Sequence, residues 1–239
     1  MQSLPNYSPL ERLTIPRPVD RIQFIAGACA QQSVLDLGAM DETAWQDKHG
    51  RGTWLHQEIA RTALAVNGVD NSVMIPAEGL ITGANAVIRR GDITDLAPLL
   101  SAFEGTPDVI VAGELIEHIE NPLQFLKSFV NMKSLCGKSL ILSTPNATAL
   151  HNFLIGLASR ESTHHDHLCI FSYKTLTTLC RRAGFVEWEI IPYYSRFTEM
   201  EERHSGLARF GIRAIQRMVN LVEWVFPILS FGYILRIRL

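Results

Sequence analysis

"VLDLGAMDE", residues 34–42, decides how this chain is read. An apolar start, Val34-Leu35, runs into Asp36 and then Gly38. That is how a strand buried on both faces ends in a turn where backbone comes close to a ligand. A turn built for a dinucleotide or nucleoside carries further glycines near positions 40 and 42. Here those positions hold Met40 and Glu42. The stretch reads as an altered ligand loop. Gly38 and Ala39 lie against the ligand, and the path departs from a Gly-rich loop past Ala39.

Outward from that turn, strand-like and helix-like segments alternate. "SVLDL" (33–37), "VNGVDN" (66–71), "AVIRRGD" (86–92), "PDVIVAG" (107–113) and "KSLILSTPN" (138–146) are short apolar runs of strand character. "TWLHQEIARTALA" (53–65) has helical spacing at Leu55, Ile59, Ala63 and Leu64. "NPLQFLKSFVNMKSL" (121–135) predicts a helix capped by Asn121 with Pro122 in its first turn. A further helix lies between Ser172 as cap and Gly184 as stop, followed by strands at 186–194 and 233–239. Strands that read as continuous apolar runs, separated by helices, predict a doubly wound, mostly parallel α/β sheet. Such a sheet binds its ligand beyond the carboxyl ends of the strands.

Composition narrows the function. The chain has 239 residues, 47% of them hydrophobic, enough for one domain with a full core. Its formal net charge of -2 supplies no basic field for a polyanion, so nucleic acid is an unfavoured partner. Cys29, Cys136, Cys169 and Cys180 form no CxxC pair and suit reduced thiols of a cytoplasmic protein. "MQSLPNYSPLERL" lacks the charged-then-apolar pattern of a signal peptide.

Acids follow three successive strands: Asp36, Asp70 and Asp92. Such a rim suits a nucleoside with free hydroxyls and an exocyclic amine. At this point the sequence resembles a family. "VLDLGA", "GVD", "RRGDITDL", "VAGELIEHIENPLQFL" and "GKSLILSTPN" are similar, in order and spacing, to class I S-adenosylmethionine-dependent methyltransferases. The likeness covers about residues 33–193. It implies a Rossmann-like seven-stranded sheet with an antiparallel last strand. It also implies a cofactor site made of Asp36, Gly38, Ala39, Asp70, Asp92, Ile93 and Glu114. Gly38 would approach the methionine part, Asp70 the ribose and Asp92 the adenine amine. "TWLHQEIA", "GELIEH" and "STPNATALHNFL" are similar to a bacterial subgroup associated with small-molecule or glycan modification. His56, beside Trp54, would pack the cofactor pocket. The plainer alternative is a helix capped by Thr53 with Trp54 in the core.

"GELIEH" (113–118) places Glu114, Glu117 and His118 at i, i+3 and i+4, one face of a helical turn. Two carboxylates and an imidazole suit a divalent cation such as Mg, Mn or Zn. "HHDH" (164–167) offers further ligands. The pattern is similar to small-RNA 2′-O-methyltransferases and to O-methyltransferases of ubiquinone biosynthesis. That resemblance implies Glu114, Glu117, His118 and His167 as ligands. The catalytic expectation is His118, Glu117 and His167. The bland reading is that His118 bonds a loop or acts as a general base tuned by Glu117.

"GLARFGIRAIQRMVNLVEWVF" (206–226) sets Arg209, Arg213 and Arg217 four apart, beside an apolar face of Phe210, Ala214, Met218, Leu221 and Val225. A helix packed on the core or over the substrate site, a homodimer contact, and a membrane-surface helix peripheral to a bilayer are the three readings. The expectation for the whole is a single domain, 1–239. Residues 1–32 form an N-terminal helical cover, and 147–170 and 195–232 lie on the substrate side. The expected activity is methyl transfer from S-adenosylmethionine to a hydroxyl of a small molecule or sugar. RNA 2′-O-methylation and a non-catalytic cofactor-binding protein are the alternatives.

Overall fold

The computed structural model describes residues 11–41, 45–48, 51–101, 103 and 105–239. Glu42 and residues 1–10 of the expected cover lie outside them. The first half runs α1 (Arg21–Ala28), β1 (Ser33–Leu37), α2 (Trp45–Lys48), α3 (Leu55–Ala60), β2 (Ala65–Asp70), β3 (Leu80–Gly83), β4 (Ala86–Arg90), α4 (Leu96–Ser101) and β5 (Val109–Gly113). The second runs α5 (Pro122–Val130), β6 (Ser139–Pro145), α6 (Leu150–Gly156), α7 (Tyr173–Ala183), β7 (Glu187–Tyr193), α8 (Thr198–Arg203), α9 (Gly206–Val225) and β8 (Gly232–Arg238).

One eight-stranded sheet has the order β3-β4-β2-β1-β5-β6-β8-β7. The five strands from β4 to β6 are parallel, and β8 lies antiparallel between β6 and β7. The Rossmann-like, mostly parallel sheet with an antiparallel last strand is therefore present. It has one strand more than the expected seven. The extra strand, β3, pairs antiparallel with β4 across a short turn. Its run between Gly79 and Gly83 is too brief to stand out as an apolar segment. The helix expected over 53–65 is shorter, Leu55–Ala60, because the Leu64 N–H donates to Gln32 C=O and β2 begins at Ala65.

Residues that alternate along β1 are buried on opposite faces. Leu35 and Leu37 join one core with Ile110, Leu140 and Phe129. Val34 joins the other with Ile25, Ile59 and Val111. Burial of each such side chain contributes about 2 kcal/mol, which is why the strand shows no polar alternation. The order in which strands are laid down reverses between the parallel neighbours β1 and β5, so a crevice opens beyond their carboxyl ends. Local signals fix the helices beside it. Asn121 accepts from the Gln124 N–H at the start of α5. Ser172 and Thr175 form a capping box on α7, and Gly184 ends it in a left-handed conformation.

α9 departs from the core-packed expectation. Its sole buried side chain is Glu223, and Gln216 and Asn220 are half-buried beside it. Gln216 accepts from the Phe197 N–H at 2.6 Å and donates to Ser195 C=O at 2.7 Å. Glu223 accepts from Ser195 Oγ at 2.5 Å and from the Ser195 N–H. The helix is thus seated through a mixed side, these polar groups with half-buried Ile212, Val219 and Val222, and Phe210, Met218, Leu221 and Val225 are exposed. Burial raises the Glu223 carboxyl above its ordinary 4.5, against the pull of the Ser195 hydrogen bonds. A raised folded value means that its stability contribution is full below pH 4.5 and is lost as pH rises through the folded value. Glu223→Gln is expected to flatten that part of the melting-temperature profile across pH 4–8. An unchanged slope by calorimetry would contradict the assignment.

Candidate functional site

A cleft of about 1440 Å³ opens at the carboxyl ends of the strands. The altered turn forms one wall. Gly38 has φ 71°, and its N–H donates to Val69 C=O at 2.8 Å. The Met40 N–H donates to Asp70 Oδ2 at 3.0 Å. Met40 itself is buried with Ala39, Trp54, Ile75 and Ile88. Trp54 Nε1 donates to Ala39 C=O at 3.0 Å. A buried thioether and the neighbouring strand thus hold the turn where flexible glycines were expected. Gly38→Ala places a Cβ 2.9 Å from Leu115 Cδ1 in a left-handed backbone. The Leu115 tip can move, but the backbone strain cannot be relieved. A loss of about 1–2 kcal/mol in stability is expected by thermal denaturation.

Trp54 is in the core, as the plainer reading had it, although it is itself the residue at the helix cap position and makes no side-chain cap bond. His56 is sealed between Asp36 Oδ2 and Thr82 Oγ1, at 2.8 Å each. Asp36 and His56 therefore reach the cleft wall with polar atoms committed to each other. They brace the turn from positions that line the cleft. Asp70 is differently placed. Its oxygens accept from the Met40 and Ser72 N–H groups and still line the cleft, as does Ile93. Asp92 also lines it, and accepts from the Thr94 N–H and hydroxyl, which hold its carboxyl below the ordinary value.

After β5 the expected helical turn does not form at Glu114. Glu114 has φ 53°, and only Ile116–His118 turns as a 3-10 helix. This rotates Glu114 away from Glu117. Its carboxylate accepts from Tyr193 Oη at 2.5 Å, and its N–H donates to Ser143. Arg21 donates to the same Ser143 hydroxyl at 3.1 Å. Burial opposes the Arg21 charge, but Glu114 and Tyr193 outweigh it and its pKa rises. The Tyr193 ring lies across Gly232, where a side chain would meet Tyr193 Oη at 2.2 Å. Sequence reasoning missed Arg21, which lines the cleft, and Tyr193, which anchors Glu114 from the core behind it. The available signal was Tyr193 at the end of "EWEIIPY", one of the strands that end at this edge.

Glu117, His118 and His167 offer ligand atoms that all lie within 4.8 Å of one another, and Glu114 does not join them. The Leu168 and Cys169 N–H groups donate to Glu117 C=O, which draws the 164–167 segment onto the turn. His118 and His167 meet edge to face at 4.6 Å. His118 Nδ1 contacts Asp166 C=O at 3.2 Å. A carbonyl only accepts, so Nδ1 is the donor in this contact and Nε2 is the nitrogen left to meet a ligand. Burial, then His118 and His164, lower the His167 value and keep its imidazole neutral. Glu117 is fully buried and neither carboxyl oxygen makes a hydrogen bond of good geometry, so the nearby Thr144 hydroxyl and Arg21 charge offset its burial only in part. Loss of water, reinforced by Glu114, pushes its carboxyl up to about 8. Two buried oxygens without such a bond, beside two imidazole donors, fit a divalent cation, since a poorly compensated buried carboxylate is costly.

Residues 14–190 match a family model described as a methyltransferase domain. The chain belongs to the class I S-adenosylmethionine-dependent methyltransferases. Solved structures share the fold of this methyltransferase at low identity. A SAM-dependent methyltransferase from Archaeoglobus fulgidus is 15% identical with a TM-score of 0.51, covering 91% of this chain and 94% of that one. The methyltransferase domain of bacterial CtHen1 is 15% identical with a TM-score of 0.52, covering 92% and 98%. The small RNA methyltransferase HEN1 is 16% identical with a TM-score of 0.56, covering 97% of this chain and 27% of that one. Comparison with the curated proteins finds no match.

Proposed function

We propose that this methyltransferase transfers a methyl group to a hydroxyl oxygen of a small molecule or sugar bearing neighbouring hydroxyls. Glu117, His118 and His167 would hold a divalent cation, Mg, Mn or Zn. One observation supports this reading above the others: a fully buried carboxylate without a hydrogen bond of good geometry, beside two imidazoles on the cleft side. When bound, the cation supplies Lewis-acid stabilisation of charge developing on the acceptor oxygen. The chain's own residues do the rest. Asp70 takes the ribose hydroxyls of S-adenosylmethionine, Asp92 and Ile93 take the adenine, and Gly38 and Ala39 pass close to the methionine end. His118 is oriented by the Asp166 carbonyl, which leaves its Nε2 for the cation, and His167 is held toward its neutral form by burial. The sulfonium–methyl bond breaks as the oxygen–methyl bond forms in line, S-adenosylhomocysteine leaves, and the hydroxyl proton passes to water in the open cleft, with positioning contributing much of the rate.

The test is turnover with and without cation. Exhaustive chelation should abolish methylation of a vicinal diol acceptor, and Mn or Mg should restore it. Full turnover after chelation removes the metal and leaves His118 as a base. A 2′-hydroxyl of RNA also has an oxygen neighbour, but the net charge of -2 favours a small acceptor. RNA binding that weakens steeply with salt would reverse that preference.

A further inference from the structure

α9 is an amphipathic helix whose main apolar stripe faces outward, with only Ile212, Val219 and Val222 half-buried among its apolar side chains. Gln216, Asn220 and Glu223 face the protein, while Leu207, Phe210, Met218 and Leu221 are between 60% and 91% exposed. An apolar stripe of this length on a free surface marks an interaction site. Its charges are sorted as well. Arg209, Arg213 and Arg217 are all exposed, and the helix's one acid, Glu223, is buried. Arg213 pairs with Glu201, whereas Arg209 and Arg217 make no ion pair among the described residues. Arg17 lies over Trp224 at 4.2 Å and donates to the Trp224 and Val225 carbonyls, which adds a fourth cation to the same region.

α6 is a second helix with exposed apolar side chains. That helix buries none of its residues and exposes Phe153 and Leu154, with Leu157 just beyond. Asn146 and Thr148, which precede α6, both bond Ile228 C=O just after α9. The two helices are thus joined at one end of the sheet, and His151 of α6 lines the cleft.

We infer that α9 and α6 form a docking surface for a bilayer containing anionic lipid, with α9 lying in the interfacial plane. Apolar side chains enter the headgroup–acyl boundary and the arginines meet the headgroups. No helix of the described residues is long and apolar enough to cross a membrane, so α9 lies on the surface. A second copy fits less well. A twofold contact on this face would bring two arginine flanks together with no acid on the outer side of α9 to receive them.

Flotation with phosphatidylcholine vesicles, with and without phosphatidylglycerol, tests the inference. Binding to anionic vesicles is expected and should weaken with added salt. Replacing Leu207, Phe210 and Leu221 together by Gln should abolish it. Arg209→Glu with Arg217→Glu should weaken it about tenfold or more. Thermal melts of both variants should match the parent, because these side chains are exposed. Should the Gln variant misfold, quenching of Trp224 by brominated lipid in the parent, lost in Trp224→Phe, gives the same answer. Failure of the parent to float, or flotation unchanged in both variants, overturns the inference. So does a concentration-dependent dimer that the Gln variant dissociates while vesicles bind neither protein.

Discussion

Asp70→Ala is expected to weaken S-adenosylmethionine binding about a thousandfold, the sum of two charge-assisted hydrogen bonds to the ribose. The loss has two origins that a second variant separates. Asp70 also accepts from the Met40 N–H, and so holds the far side of the altered turn. Asp70→Asn keeps an oxygen that can accept from Met40 but removes the charge. Its amide NH2 then meets the Ser72 N–H, so the variant should lose affinity by about tenfold to a hundredfold and about 1 kcal/mol of stability. Isothermal calorimetry with S-adenosylmethionine reads both. Equal affinities for parent and Ala variant would place the ribose elsewhere. Binding alone is also what a non-catalytic cofactor-binding protein would show, so methyl transfer to a diol acceptor is the measurement that decides against that alternative.

Glu117→Leu is expected to abolish cation binding and yet raise the melting temperature of the metal-free protein. In the metal-free state the parent buries a carboxyl with no hydrogen bond of good geometry. Replacing a buried ionisable group by an apolar one of similar volume commonly stabilises by about 2 kcal/mol. For a chain of this size that is a rise of about 6 °C. Added Mn should raise the parent's melting temperature, since a ligand that binds only the folded state stabilises it, and should leave the variant unmoved. Turnover of the variant should fall at least about a hundredfold, as expected when a charge-stabilising group is lost. An equal metal-induced shift in both proteins would remove Glu117 from the ligand set.

The strands were legible because burial on both faces writes itself as an apolar run. "SVLDL" coincides with β1, and "KSLILSTPN" contains β6. The caps at Asn121 and Ser172 were legible because their side chains satisfy nearby N–H groups. β3 was not, because its short segment sits between glycines and borrows its pairing from β4. Glu114 misled because spacing assumes a continuous helical turn, and a non-glycine residue gives no sign that its φ is positive. α9 misled in a different way. Periodicity shows that a helix has an apolar side, but which side meets the protein depends on what Ser195 and Phe197 offer it.

The turn at 38–40 has a consequence for the thermodynamics of cofactor capture. It is tied at Gly38 to Val69, at Met40 to Asp70 and at Ala39 to Trp54. A Gly-rich loop gives up backbone freedom when its ligand arrives, at about 1–2 kcal/mol per residue ordered. Here that entropy is surrendered during folding, so the encounter orders the ligand and leaves the protein backbone nearly as it was.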